Sequence, residues 1–224
     1  MSTKGKPEKY TELTERQLTW EHYIYQWISI QLIHIYVSLR YTLKIHGREN
    51  KPKQWMPCVV ACNHLSSLDP PLVSVALNYM PISYMAKKEL FEHRWMRLYN
   101  QLMSSFAVNR EKLEISTIKT AMKVLKHGKW AVGIFPEGTR NKDGSISTPK
   151  KGVAYFAKMA KVPVLPLGMV HSVDKNGKKR IDIRIGKFIP PQDDMDALSD
   201  AIQAAIQALT EETKAELPAT HTPL

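Results

Sequence analysis

The sequence predicts an α/β fold, a single layered domain with a mainly parallel or mixed sheet flanked by helices. Three observations support this. From residue 56 onward, short apolar runs alternate with segments of helical periodicity, the pattern of a sheet covered by crossover helices. The chain of 224 residues is long enough for one sizeable domain and too short for two comfortable ones. Its 43% hydrophobic and 24% charged residues are ordinary for a globular chain and argue against disorder.

Taken in order, residues 1–19 form a polar, charged lead with no apolar signal-peptide core. In Tyr23 to Leu43, 14 of 21 residues are aliphatic or aromatic and only Arg40 is charged. Its unbroken apolar runs reach only three residues, so it does not read as a clean transmembrane span. The polar positions switch face: His22, Gln26 and Ser29 share one side, while Gln31, His34, Ser38 and Thr42 share roughly the other. Two shorter amphipathic helices fit that switch, with Trp20, Tyr23, Tyr25, Trp27, Tyr36 and Tyr41 suited to a headgroup boundary. The alternative is a core helix. The expected organisation is therefore a lead and helical membrane-associating segment over 1–45, then an α/β domain over 46–224.

Within that domain, Cys58 to Cys62 reads as a strand. Pro70 to Met80 reads as a helix, with Asp69 at the N-cap and Pro70 in the first turn. Ile82 to Ala86 is a strand, the stretch around His93 to Met103 a helix, and Phe106 to Val108 a short strand. Residues 114–127 are helical, with Ile115, Ile118, Met122 and Leu125 on the expected inner face and Gly128 ending the helix. Trp130 to Phe135 is a buried-looking strand, Gly152 to Ala160 a helix, and Val162 to Val170 and Arg180 to Ile185 strands. An amphipathic helix from Asp193 to about Ala215 turns Leu198, Ile202, Ile206 and Leu209 inward.

The net charge of +11 is uneven. From residue 192 on there are seven acidic residues and one basic, a net −6, which leaves +17 on residues 1–191. Such a body suits an anionic bilayer, nucleic acid or an acidic partner. No helix-turn-helix, zinc ligand set or aromatic RNA-binding strand supports nucleic acid. Cys58 and Cys62 are the only cysteines, too few for a metal set, and at this spacing they read as small buried side chains in a reducing compartment.

Three strand ends carry the candidate chemistry. Asn63-His64-Leu65-Ser66-Ser67-Leu68-Asp69 follows an apolar strand and enters a helix, at the sheet edge where α/β active sites gather. An imidazole works best as a general base when a carboxylate holds its other nitrogen, and a loop entering a helix can fold Asp69 onto His64. The other seven histidines lack a carboxylate in a comparable turn. In Phe135-Pro136-Glu137-Gly138-Thr139-Arg140, Gly138 permits a tight turn, Thr139 offers a hydroxyl and Arg140 a fork suited to phosphate. Glu137 cannot bind phosphate directly, and suits holding Arg140 or a substrate hydroxyl. Phe106 to Arg110 ends on a second arginine. Together these describe a base beside an anion pocket.

These elements resemble the glycerolipid acyltransferase family, of which 1-acyl-sn-glycerol-3-phosphate acyltransferases are typical. Its Asn-His-x-x-x-x-Asp signature is matched by Asn63, His64 and Asp69, and its Phe-Pro-Glu-Gly-Thr-Arg signature by Phe135 to Arg140. Its looser second and fourth elements resemble Phe106 to Arg110 and Val162 to Pro166, and the likeness covers roughly residues 45–190. The resemblance implies direct transfer of a fatty acyl group from acyl-CoA or acyl-carrier protein to lysophosphatidic acid, giving phosphatidic acid. His64 would be the base, Asp69 its partner, and Arg110, Arg140 and Thr139 the phosphate holders. It implies a location at the cytoplasmic face of the cell membrane, with no metal or resident cofactor. Glycerol 3-phosphate or another lysophospholipid is the alternative acceptor, and a non-catalytic membrane-binding protein the more distant reading. A serine-hydrolase scheme fits less well, because no Gly-x-Ser-x-Gly elbow is present.

Overall fold

The computed structural model describes residues 18–109, 114–141 and 151–223. Helix α1 (Trp20–Arg40) passes directly into strand β1 (Tyr41–His46). The expected alternation follows: β2 (Val59–Cys62), α2 (Asp69–Ala76), β3 (Ile82–Lys87), α3 (Arg94–Leu102), β4 (Phe106–Val108), α4 (Ile115–Lys126) and β5 (Ala131–Ile134). Then come α5 (Gly152–Ala160), β6 (Val164–Asp174), β7 (Lys179–Ile185), α6 (Met195–Ala215) and a short β8 (His221–Pro223). The strand order is β1-β7-β6-β2-β5-β3-β4, with β8 on the far end of β6. Strands β6, β2, β5, β3 and β4 are parallel, which brings their carboxyl ends to one edge. Strand β7 runs antiparallel to β6 and β1 parallel to β7, so the sheet is mixed.

The period-2 alternation of β2 divides the core. Cys58, Val60 and Cys62 face one layer with Leu165, Leu167 and Met169 of β6 and Ile181, Ile183 and Ile185 of β7, covered by α1 and α2. Val59 and Ala61 face the other layer, covered by α4, α5 and α6. Helix α6 lies almost against the sheet backbone, because Gly168 has no Cβ; one built there would sit 2.8 Å from Leu209.

Three sequence expectations change. The segment from Trp20 to Arg40 is one continuous helix rather than two, and Tyr41 to Leu43 belong to β1. The switch of polar faces has a packing cause. Gln26 is buried and donates from Nε2 to the carbonyls of Ile82 (2.8 Å) and Met103 (2.9 Å), while His34 meets the Tyr79 hydroxyl at 2.9 Å. Ile30 and Val37 join the core, and Trp20, Ile24, Ile28, Leu32, Ile35 and Leu39 form an exposed apolar stripe. No helix among the described residues is long and apolar enough to cross a membrane.

Helix α4 is rotated from the expected face: Leu125 is buried and Ile118 packs on the core as expected, but Ile115 is turned out. Ile115 is 72% exposed, and the buried positions are Thr117, Thr120, Ala121, Val124 and Leu125. Small side chains let the helix approach the sheet, and the Thr117 hydroxyl donates to the Ala107 carbonyl (3.1 Å). Asp69 is the third change. It is the first residue of α2 rather than its N-cap, and its carboxylate points back into the loop.

Candidate active site

The first candidate loop leaves β2 at Cys62 and is clamped to its neighbour at once. Asn63 donates from Nδ2 to the Met169 carbonyl (2.8 Å) and accepts the Met169 N–H on Oδ1 (2.7 Å), so its side chain imitates a strand partner on β6. His64 follows, with Nδ1 2.8 Å from Asp69 Oδ2. That oxygen also accepts the backbone N–H groups of Leu65 and Ser66, both at 2.7 Å. The Ser66 hydroxyl donates to Oδ1 at 2.6 Å and accepts the Leu68 N–H at 3.1 Å.

The two prolines explain why this carboxylate faces backward. A carboxylate capping α2 would need the N–H groups just ahead of it, and Pro70 and Pro71 have none. The next amide, Leu72, already bonds to the Leu68 carbonyl. Asp69 therefore turns to the loop and fixes the orientation of His64. Burial pushes its carboxyl group up, but the bonds from His64 and Ser66 outweigh this and hold it below the ordinary carboxylate value. It is an anion with no solvent exposure, poised against an imidazole.

The second loop supports the ring from its other side. Strand β5 pairs with β2, so Phe135 emerges beside His64 and stacks on it, with centroids 4.1 Å apart and planes at 19°. Tyr84 stacks behind Phe135, donating its hydroxyl to the Pro70 carbonyl at 2.6 Å. Gly133 makes room for Tyr84: a Cβ there would lie 2.4 Å from its ring. The Asn141 N–H donates to the His64 carbonyl at 2.9 Å, tying the end of the second loop to the first. Gly138 has φ +68 and turns the chain tightly, as the sequence reading expects. Glu137 is buried behind this turn, Thr139 and Arg140 are exposed, and Gly138 and Arg140 line the cavity that His64 borders. Arg110 lies outside the described residues; Asn109 just before it lines the same cavity.

That cavity has a volume of about 290 Å³. His64, Ser67, Lys87, Asn100, Ser105, Asn109 and Arg140 give its wall polar groups, while Met85, Leu90, Met96, Met103, Val108 and Phe156 make the lining mainly apolar. It can receive a molecule with a charged head and a hydrocarbon chain. Burial pushes the Cys58 thiol up to about 12 and Cys62 well above its usual value, so neither cysteine is an activated nucleophile. No serine hydroxyl among the described residues is hydrogen-bonded to His64, and Ser66 serves Asp69 instead.

Sequence reasoning misses one member of this cluster. His171 of β6 places Nε2 3.6 Å from Asp69 Oδ1. It is far from Asp69 in sequence, and no turn pattern could reveal it. The available signal is periodicity: Leu165, Leu167 and Met169 form an inward row that His171 breaks. Burial depresses its pKa below the ordinary histidine value, while the Asp69 charge opposes that shift. The paired roles of Phe135 and Asn63 were likewise beyond reach, because each depends on which strands become neighbours.

An α/β sheet carrying a carboxylate-held imidazole beside a mainly apolar cavity, with no activated side-chain nucleophile among the described residues, defines a class of enzyme that works through a base. The family model described as Acyltransferase matches residues 42–170, and the chain belongs to that family. It is 33% identical over 187 residues to the 1-acyl-sn-glycerol-3-phosphate acyltransferase of Bacillus subtilis (strain 168), covering 78% of this chain and 92% of that one. It is 29% identical over 179 residues to the protein of the same name from Streptococcus pneumoniae, covering 75% and 66%. The solved structure of the 1-acyl-sn-glycerophosphate (LPA) acyltransferase PlsC from Thermotoga maritima shares the fold, with a TM-score of 0.65 at 22% identity over 88% of this chain and 80% of that one.

Proposed function

We propose that the protein transfers a fatty acyl group from an acyl thioester to the sn-2 hydroxyl of 1-acyl-sn-glycerol 3-phosphate, with His64 as general base. The observation that carries this reading is the His64–Asp69 pair, with His64 on the wall of a mainly apolar cavity that Arg140 also lines. With Nδ1 held by the carboxylate, Nε2 is the nitrogen left to take a proton. It removes the proton of the acceptor hydroxyl as that oxygen attacks the thioester carbonyl. The tetrahedral intermediate collapses with cleavage of the C–S bond, and the imidazolium returns its proton to the departing thiolate. Asp69 stabilises the imidazolium throughout.

Arg140, with Thr139 and the Gly138 turn, meets the acceptor phosphate, and Arg110 is assigned the same task from its place in the sequence. Glu137, buried next to Gly138, is assigned the holding of Arg140 or of a substrate hydroxyl. Fixing the phosphate fixes the hydroxyl, so this part of the catalysis is positional. Acyl-CoA and acyl-carrier protein are both anionic donors suited to the basic body of the chain; no resident cofactor enters the scheme. The exposed stripe of α1, with Trp95 and Leu98 of α3, lies in the headgroup region at the cytoplasmic face of a membrane, which gives the lipid acceptor its route to the site.

The test is thioester consumption by purified protein in detergent or lipid, offered 1-acyl-sn-glycerol 3-phosphate, glycerol 3-phosphate or other lysophospholipids in turn. Acylation of the first, reduced about 10²- to 10⁴-fold in His64→Ala with the fold retained, is the expected result. Acylation of a different acceptor alone would change the assignment, and activity unaffected by His64→Ala would remove the mechanism.

A further inference from the structure

The two oxygens of the Asp69 carboxylate are unequally served. Oδ2 receives the His64 ring and two backbone amides, which surround it. Among the described residues Oδ1 receives only the Ser66 hydroxyl, and His171 Nε2 lies 3.6 Å from it. That nitrogen is buried and has no hydrogen-bond partner among the described residues. Buried polar atoms are normally paired, and a buried orphan beside an anion calls for an account.

The location of His171 is also selective. The preceding inward positions of β6 are Leu165, Leu167 and Met169, all fully buried in the layer that α2 covers. Packing alone would be served by another aliphatic residue at 171. The Asn63 clamp grips the backbone of Met169, two residues earlier, so the loop bearing His64 and the strand bearing His171 are held in a fixed relation.

We propose that His171 is a positioning residue for the His64–Asp69 pair, a neutral imidazole whose Nε2–H is directed at Asp69 Oδ1 and stops the carboxylate from rotating away from His64. This rests on the reading of His64 as the base. Burial favours the uncharged ring, so His171 supplies a dipole rather than a competing cation that would draw the carboxylate off. At 3.6 Å the contact is long, and the expected contribution lies at the low end for a bond to a charged acceptor.

The experiment compares three substitutions in the full chain, assayed by acyl-CoA consumption with 1-acyl-sn-glycerol 3-phosphate, with melting temperature recorded for each. His171→Leu continues the apolar row and should fold; it should lower kcat roughly five- to tenfold and leave both KM values unchanged. His171→Gln, whose amide reaches about as far as Nε2, should restore kcat to within about twofold. In an Asp69→Asn background, His171→Leu should cost less than about twofold, because its effect runs through the carboxylate. Wild-type kcat in His171→Leu, or equal losses in the two backgrounds, would overturn the proposal, as would failure of the Gln variant to recover activity. If His171→Leu does not fold, His171→Asn, whose shorter amide cannot reach Oδ1, takes its place in both backgrounds with the same expected and overturning results. A His64→Ala control run alongside separates the outcomes: if it stays active, the base assignment itself fails, and if it is dead while the His171 effects are additive, only the positioning role does.

Discussion

Replacing Asp69 by Asn asks how much of this site depends on charge and how much on shape. The side chain is fully buried and takes hydrogen bonds from His64 Nδ1, the Leu65 and Ser66 amides and the Ser66 hydroxyl. An amide can keep most of these: its oxygen replaces Oδ2, and its NH₂ meets the Ser66 hydroxyl turned to accept. The fold and the ring orientation should therefore survive. The attraction for the imidazolium formed during transfer is lost. Two unit charges about 4 Å apart interact by about 4 kcal/mol at an effective dielectric of 20. A neutral hydrogen bond of about 1 kcal/mol remains. The deficit of about 2–3 kcal/mol corresponds to a fall in kcat of about 30- to 150-fold. Asp69→Ala should behave differently, because it also strands two backbone amides at about 1–3 kcal/mol each, and its melting temperature should drop. Steady-state kinetics with thermal melts separate the cases. An Asn variant with kcat within about threefold of wild type and an unchanged melt would refute the electrostatic role and reduce Asp69 to a loop fastener.

Gly133→Ala should damage the site from a distance. The new methyl group would collide with the Tyr84 ring, which the Pro70 carbonyl and the Phe135 stack hold in place, at a cost of about 1–3 kcal/mol. Both melting temperature and kcat should fall, and unchanged kinetics would show that the His64–Phe135–Tyr84 stack is dispensable. Acid should destabilise the fold in two windows. Burial favours neutral His171, so its contribution is complete above the unfolded value of about 6.5 and is lost as pH falls toward the depressed folded one. Asp69 has a folded value below the ordinary carboxylate one, so its contribution is complete above about 3.9 and is lost as pH falls through the folded value. Melts from pH 8 to 3 should show His171→Leu losing the upper step, and an identical decline between pH 7 and 5 in that variant would contradict the assignment. Replacing Ile24, Leu32 and Leu39 of the α1 stripe by Ser should weaken co-sedimentation with anionic vesicles while leaving the melt near wild type. Undiminished binding would move the membrane contact elsewhere.

The fold was readable because the strands alternate cleanly and the helices carry their own periodicity. The rotation of α4 shows the limit: Ile118 and Leu125 face the core as expected, but apolarity ranks Ile115 above Thr117, while the sheet admits whichever side chain is small enough for close approach. The His64–Asp69 pair was legible because both partners lie in one turn. Arg140 and Gly138 were legible as neighbours because parallel strands end on the same edge. His171, Asn63 and Gly133 act across strands whose adjacency no local pattern encodes, so only the assembled sheet reveals them. The aromatic segment was half legible. Its composition points to an interface, but the burial of Gln26, Ile30 and Val37 depends on a partner surface formed much later in the chain.

The packing of α1, buried on one side and apolar on its exposed side, has a practical consequence for anyone handling the protein. Trimming the chain at the start of β1 to obtain a detergent-free sample would remove Ile30 and Val37 from the core, expose the apolar residues packed with them, and strand the carbonyls of Ile82 and Met103 that Gln26 now satisfies. The product of that truncation should aggregate. A well-behaved sample calls for repainting the outward side of the helix and leaving its inward side in place.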